Sequence, residues 1–339
     1  MQESFEQTTT TKQGGEVSPA ASIPNTETAS SAAPSVASEP IASPAASASN
    51  TAARPNTAPI GIFDSGFGGL TVTRKIMQLL PQESIAYFGD TARFPYGMRS
   101  LDEVDEFVQQ IGSWLVDYGV KLIVIACNTA TAAGLAHAQK TFDVPIVGVV
   151  DSVAQAAVRT SENQRVGVIA TKATIESDAY SQAIRAIDPE ITVFSIATPR
   201  FVEIAEQGIR IADDPIENYT SPASKVYIRP AFREIAQEYL EPLRRCGIDT
   251  LVLGCTHFPL LKSLIGGMIG RNVTLISSAT EVAREVVDIL AEQGCAAPAD
   301  QVPEHRFFTT STDLEEFKRF GSRVLQSPIE MVSPVDLLG

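Results

Sequence analysis

The sequence predicts an α/β protein of two pseudo-symmetric lobes, each a parallel sheet flanked by helices, with the active site between them. Three observations carry that expectation. Short runs of Val, Ile and Leu, apolar at every position, alternate with amphipathic stretches of helical period, the order that builds parallel sheets buried on both faces. Two of these runs end on a cysteine with a threonine just beyond it: Lys121-Leu-Ile-Val-Ile-Ala-Cys127-Asn128-Thr129 and Thr250-Leu-Val-Leu-Gly-Cys255-Thr256-His257. Midway along the chain the strand-and-turn pattern starts again.

The elements follow in order. Pro59-Ile-Gly-Ile-Phe reads as a strand running into the turn Asp64-Ser65-Gly-Phe-Gly-Gly, and a helix carrying Leu70, Ile76, Leu79 and Leu80 ends at Pro81. Ser84 to Gly89 is a second strand, followed by a loop through Arg93, Tyr96 and Gly97. Ser100 with Glu103 is a capping box opening a long helix whose stripe is Leu101, Val104, Val108, Ile111 and Leu115, and Gly119 suits its C-terminal cap. The Cys127 strand, an Ala-rich helix and a strand over Val144–Val150 complete the first pass.

Arg165 to Ala170 then repeats the opening strand, with Thr171 where the first turn begins. Asp64 precedes Cys127 by 63 residues and Thr171 precedes Cys255 by 84, so the second half carries an excess of 21, placed between Ile209 and Pro230. An internal duplication with equivalent cysteines is the economical explanation. A strand over Val273–Ser277, a helix from Ala279 to Gln293, a strand at Phe307–Thr309 and a short helix near Asp313–Phe320 follow, the last part packing back onto the first half. The expected domains are 59–151 with 278–339 for the first lobe and 152–277 for the second.

Residues 1–58 differ in kind. Of these 58 residues, 37 are Ser, Thr, Ala or Pro, too few large apolar groups to offset the entropy of ordering, so a disordered tail is expected. The rest bounds function by exclusion. A net charge of −14 with no Lys/Arg-rich run gives no footprint for nucleic acid. No apolar run reaches the ~18 residues of a membrane span, and the N-terminus has no basic and apolar signal segment, so a cytoplasmic protein is expected. Four cysteines in 339 residues are no disulfide framework. Three histidines without paired ligand spacing leave no metal expected.

Each of Cys127 and Cys255 sits where a strand hands over to a helix, the edge at which open α/β sheets bind ligands. A helix N-terminus there favours anions and can depress a thiol pKa. From spacing alone the pair reads as reactive thiols, leaving open a redox pair or buried filler. His257 could support Cys255, or be a satisfied structural histidine. Asp64-Ser65-Gly-Phe-Gly-Gly lacks the spacing of nucleotide loops. It reads as a tight turn, or as backbone amides for a carboxylate with Asp64 holding an ammonium group.

Four stretches, Gly-Ile-Phe-Asp64-Ser65-Gly-Phe-Gly-Gly, Tyr87-Phe-Gly-Asp90-Thr with Pro95-Tyr96-Gly97, Ala-Cys127-Asn128-Thr129-Ala and Gly-Cys255-Thr256-His257-Phe-Pro, resemble the glutamate racemases of the aspartate/glutamate racemase family. The resemblance covers 59–339. It implies a racemase independent of pyridoxal phosphate or any cofactor, supplying D-glutamate for peptidoglycan, with Cys127 acting on D-glutamate and Cys255 on L-glutamate. Asp64, Ser65, Tyr96, Gly97, Asn128, Thr129, Thr256 and His257 would bind substrate, Asp64 and His257 also assisting the thiols. Thr171 and one of Glu203 and Glu206, Glu206 the better match, would support the site. Thr198 stands where the resemblance leads one to expect a cysteine. The implied partners are the small molecule glutamate and a second copy of the chain, with no nucleic acid and no membrane. A racemase for aspartate and a redox-sensing protein are the competing readings.

Overall fold

The computed structural model describes residues 54–211 and 230–337. The expected tail up to residue 53, and nearly all of the segment meant to hold the second half's extra residues, lie outside the described residues.

The first sheet is built from β1 (Ile60–Asp64), β2 (Ile85–Gly89), β3 (Leu122–Ile125) and β4 (Ile146–Val147), joined by β9 (His305–Thr309) and β10 (Val332–Pro334) near the C-terminus. Its order is β10-β9-β2-β1-β3-β4, parallel throughout. Helices α1 (Leu70–Leu79), α2 (Leu101–Tyr118) and α3 (Asn128–Thr141) connect the early strands. The second sheet, β5 (Arg165–Ala170), β6 (Thr192–Ala197), β7 (Thr250–Gly254) and β8 (Thr274–Ser277), has the order β6-β5-β7-β8, again parallel. The block β2-β1-β3-β4 of one sheet and β6-β5-β7-β8 of the other therefore share one topology. Strands β1, β2, β3 and β7 are buried at every position, as their unbroken apolar runs require.

Helix α4 (Val150–Thr160) links the two sheets, and α5 (Lys172–Glu176) and α6 (Ala179–Ile187) join β5 to β6. The helices α7 (Arg200–Ile211), α8 (Pro230–Arg245), α9 (Lys262–Ile269), α10 (Ser278–Glu292) and α11 (Leu314–Leu325) complete the set. α10 packs on α1 and on α4. One core of the first lobe joins Ile62, Leu70, Ile76 and Val124 to Val282, Val286 and Phe317, so the C-terminal third closes one face of the first sheet. On the other face Trp114 lies among Phe88, Phe308 and Tyr118, with ring centroids 4.7–5.3 Å away.

Local signals behave as their chemistry predicts, with exceptions. Ser100 Oγ accepts from the Glu103 amide and Gly119 takes a left-handed φ of 98° at the end of α2. The capping box closes on that side only, because the Glu103 carboxylate pairs with Arg99. The strand expected over Val144–Val150 shortens to Ile146–Val147. The Val149 amide bonds to Thr131 Oγ1 at 3.3 Å instead of a neighbouring strand, and α4 begins at Val150. Residues 54–58, read as tail from composition, pack on the first lobe: Arg54 donates to Val116 O at 2.9 Å and Asn56 to Gly294 O at 3.1 Å.

Candidate active site

The C-terminal edges of β1, β3, β5 and β7 deliver the site. Asp64 ends β1, Cys127 caps α3 two residues beyond β3, Thr171 follows β5, and Cys255 follows β7. All four side chains are buried, together with Ser65, Asn128, Thr129, Thr256 and His257. Glycines allow the approach: a Cβ at Gly68 would lie 2.3 Å from Thr256 Oγ1, and one at Gly97 would lie 2.6 Å from Thr171 Cβ.

Around Cys127 the donors are few. The Ala130 amide reaches its sulfur at 3.5 Å, the N-terminal cap of α3, and Ser65 Oγ lies 3.9 Å away. Contrary to the expectation of a depressed thiol, its pKa is pushed up to about 12. Burial is the main cause and the neighbouring Asp64 charge the next, and together they outweigh the Ala130 amide. Asp64 is itself held above the usual carboxylate range by burial, although its oxygens accept from the Gly66 amide at 2.9 Å and Thr256 Oγ1 at 3.1 Å.

Cys255 has a different neighbourhood. Its sulfur lies 3.9 Å from His257 Nδ1, and His257 Nε2 lies 2.8 Å from Glu206 Oε1. Burial alone would lower the His257 pKa. Hydrogen bonds to Cys255 and Glu206 and the negative charges there win, holding it well above its ordinary value. Of the two glutamates read from sequence, Glu206 reaches the histidine, while Glu203 is exposed on the same helix. The Phe94 ring covers the other side of His257, with centroids 5.8 Å apart.

Polar contacts stitch the lobes together at this level. Thr129 Oγ1, Thr171 Oγ1 and Thr174 Oγ1 form a triangle with 3.0 Å sides, and Thr71 Oγ1 donates to Thr256 O at 3.1 Å. A cavity of about 290 Å³ opens beside them, lined by Phe94, Pro95, Gly97, Thr171, Val202 and Glu206 among others. The Tyr96 hydroxyl is engaged by the Asp90 carboxylate, which also takes Arg93 Nε at 2.6 Å. Tyr96 therefore offers a ligand its backbone and not its phenol.

The Asp/Glu/Hydantoin racemase family model matches residues 60–286. The chain belongs to that family. Glutamate racemase of Mycobacterium ulcerans is 46% identical over 279 residues, spanning 82% of this chain and 96% of its own. Among solved structures, glutamate racemase isoform RacE1 of Bacillus anthracis superposes with a TM-score of 0.73 at 39% identity, covering 83% of this chain and 98% of that one. The Francisella tularensis glutamate racemase in complex with D-glutamate gives 0.72 at 33% identity, covering 84% and 99%. This racemase is thus an isomerase on the two-lobed α/β scaffold its sequence predicts.

Sequence reasoning passed over two residues that the fold brings to this racemase's candidate site. Thr174 joins the threonine triangle, and its place three residues after Thr171, one helical turn on, was the available signal. Tyr180 bonds to Asn128 across the lobes, and nothing local in the sequence of α6 marks it. Among the described residues no cluster of His, Cys, Asp and Glu suits a metal ion, and no helix is long and apolar enough to cross a membrane.

Proposed function

We propose that this racemase interconverts L- and D-glutamate without a cofactor, using Cys127 and Cys255 as paired acid and base, and supplies D-glutamate for peptidoglycan in the cytoplasm, as a homodimer. One observation carries the reading: the topologically equivalent strands β3 and β7 of the two lobes each lead into a buried cysteine, and Thr256, next to the second, bonds to Asp64 of the first lobe at 3.1 Å. Inverting a stereocentre needs a base on one face and an acid on the other, which opposed lobes supply.

In the direction from L-glutamate, the Cys255 thiolate takes the α-proton as the C–H bond breaks. The electron pair is held in the α-carboxylate, and the Cys127 thiol delivers its proton to the opposite face. The sulfurs exchange protonation states, and the reverse direction begins at Cys127. The high pKa of Cys127 suits the acid role. For its turn as base, an ammonium group seated at Asp64 adds the positive charge that brings the carboxyl and the thiol back down. At Cys255, His257 backed by Glu206 stands 3.9 Å from the sulfur that takes the proton and assists it there. The developing charge on the α-carboxylate calls for fixed donors, and the α3 N-terminus and the unpartnered Asn128 Nδ2 support that part of the reading.

The test is racemisation in deuterated water with purified protein, L-glutamate and no added pyridoxal phosphate. D-glutamate carrying deuterium at Cα is expected, with faster turnover of glutamate than of aspartate. Product lacking deuterium, or turnover only with added pyridoxal phosphate, would overturn the two-thiol reading, and preference for aspartate would overturn the substrate.

A further inference from the structure

Tyr180 lies on α6 of the second lobe with its side chain 2% exposed. It bridges the surroundings of both cysteines. Its hydroxyl donates to Oδ1 of Asn128, the residue after Cys127 and the first of α3 in the other lobe. Its ring lies against the backbone leading into Cys255, where a Cβ at Gly254 would meet Tyr180 Cε2 at 3.0 Å. The second half of the same carboxamide tells the rest: Asn128 Nδ2 is buried and has no partner among the described residues. A buried donor left unpaired is costly, so such a group in a binding site marks the place of an acceptor that arrives with the ligand.

A carboxamide can turn over by half a revolution and exchange donor for acceptor. Its neighbours decide which face it shows. The phenol hydroxyl donates to Oδ1, and Tyr180 keeps its proton because burial, and then the negative charges of Cys255, Asp151 and Cys127, raise the pKa of its phenol. With Oδ1 turned to Tyr180, Nδ2 is turned away from it.

We infer that Tyr180 is a positioning residue, whose hydroxyl holds the Asn128 carboxamide with its NH2 presented to a carboxylate of the substrate. The inference rests on the glutamate racemase reading above. Because the bond crosses from one lobe to the other, the donor is set only when the lobes are seated together. Without the hydroxyl, the carboxamide samples both orientations, and one of them confronts the carboxylate with a carbonyl oxygen.

The experiment is a double-mutant cycle in KM for glutamate with Tyr180→Phe, Asn128→Ala and the double variant. Tyr180→Phe keeps the ring and its packing, so KM is expected to rise about tenfold while kcat stays within about threefold. The double variant should have the KM of Asn128→Ala alone, since Tyr180 has nothing left to orient. A purely structural tyrosine would reduce the amount of folded enzyme without moving KM. Two effects that multiply, or a KM within about twofold of wild type for Tyr180→Phe, would overturn the inference. Should Tyr180→Phe fold poorly, Asn128→Asp serves, since it keeps an acceptor for Tyr180 and removes the donor. It should weaken glutamate binding as Asn128→Ala does, and wild-type binding would overturn the role. A wild-type enzyme inactive on glutamate sinks the substrate reading instead, so the two failures are distinguishable.

Discussion

At the scale of the residue, the proposed acid–base pair sets two thiols in unlike surroundings. Cys127 has a neighbouring carboxyl, a hydroxyl and one helix amide, whereas Cys255 has the His257–Glu206 pair. The second arrangement can be tested through its far end. Glu206→Gln keeps an acceptor for Nε2 and removes the negative charge, so the raised His257 pKa should fall. Less of the enzyme then carries the imidazolium beside Cys255, and kcat/KM should fall about ten- to a hundredfold. The fall must be the same from L- and D-glutamate, because the equilibrium constant between enantiomers is one and fixes the ratio of the two kcat/KM values. The descending limb set by His257 should also move to lower pH, since a lower pKa loses the imidazolium earlier as pH rises. Steady-state rates in both directions across pH read this directly, and an unchanged profile would show that Glu206 does not tune the histidine.

At the scale of the element, the site depends on how closely the glycine turn after β1 meets the turn after β7. Gly68 sits where a Cβ would be 2.6 Å from His257 Nδ1 as well as close to Thr256. Gly68→Ala should therefore part the two turns by a fraction of an ångström to an ångström and lower kcat/KM about a hundredfold, with the circular dichroism spectrum unchanged. Retained activity would mean the turns yield freely. The strands feeding these turns were legible because burial on both faces leaves only apolar residues between the ends of β1, β3 and β7. β6 was not, since as an edge strand it is half exposed and its sequence, Thr-Val-Phe-Ser-Ile-Ala, is mixed. The duplication was legible only to within one residue. Strand register sets Phe63 opposite Ile125 and Ala170 opposite Gly254. Carried onward, it places Ser65 beside Cys127 and Thr171 beside Cys255, so Ser65, and not Asp64, is the counterpart of Thr171. Spacing along a chain cannot see that offset. Hydrogen-bond register can.

At the scale of the whole molecule, the edge that carries the candidate site and the opposite edge of the first sheet are held by separate groups. Lys121, just before β3, is buried at the N-terminal edge, where its ammonium pairs with Glu83 Oε2 at 2.7 Å and donates to Asn56 O at 2.6 Å and Cys295 O at 2.9 Å. Glu83 Oε1 in turn accepts from the Ala297 amide at 2.7 Å. One buried ion pair thus ties residues 54–58 and the link after α10 to the sheet, far along the strands from either cysteine. Composition placed residues 54–58 with the tail because Arg-Pro-Asn-Thr-Ala has no apolar run, and the tie to Lys121 depends on a backbone carbonyl, which composition cannot show. A chain beginning at residue 54 should keep its melting temperature and its kcat. A chain beginning at residue 59 should lose about 1–3 kcal/mol, because a buried ammonium loses an acceptor. That is a drop of about 2–5 °C for a protein of this size. Its kcat at 25 °C should stay within about twofold of wild type, since every group placed at the candidate site lies beyond residue 59. Calorimetry and racemisation rates on the two shortened chains decide it. A fall in kcat with an unchanged melting temperature would mean that the N-terminal edge reports to the thiols, and the separation of the two edges would be wrong.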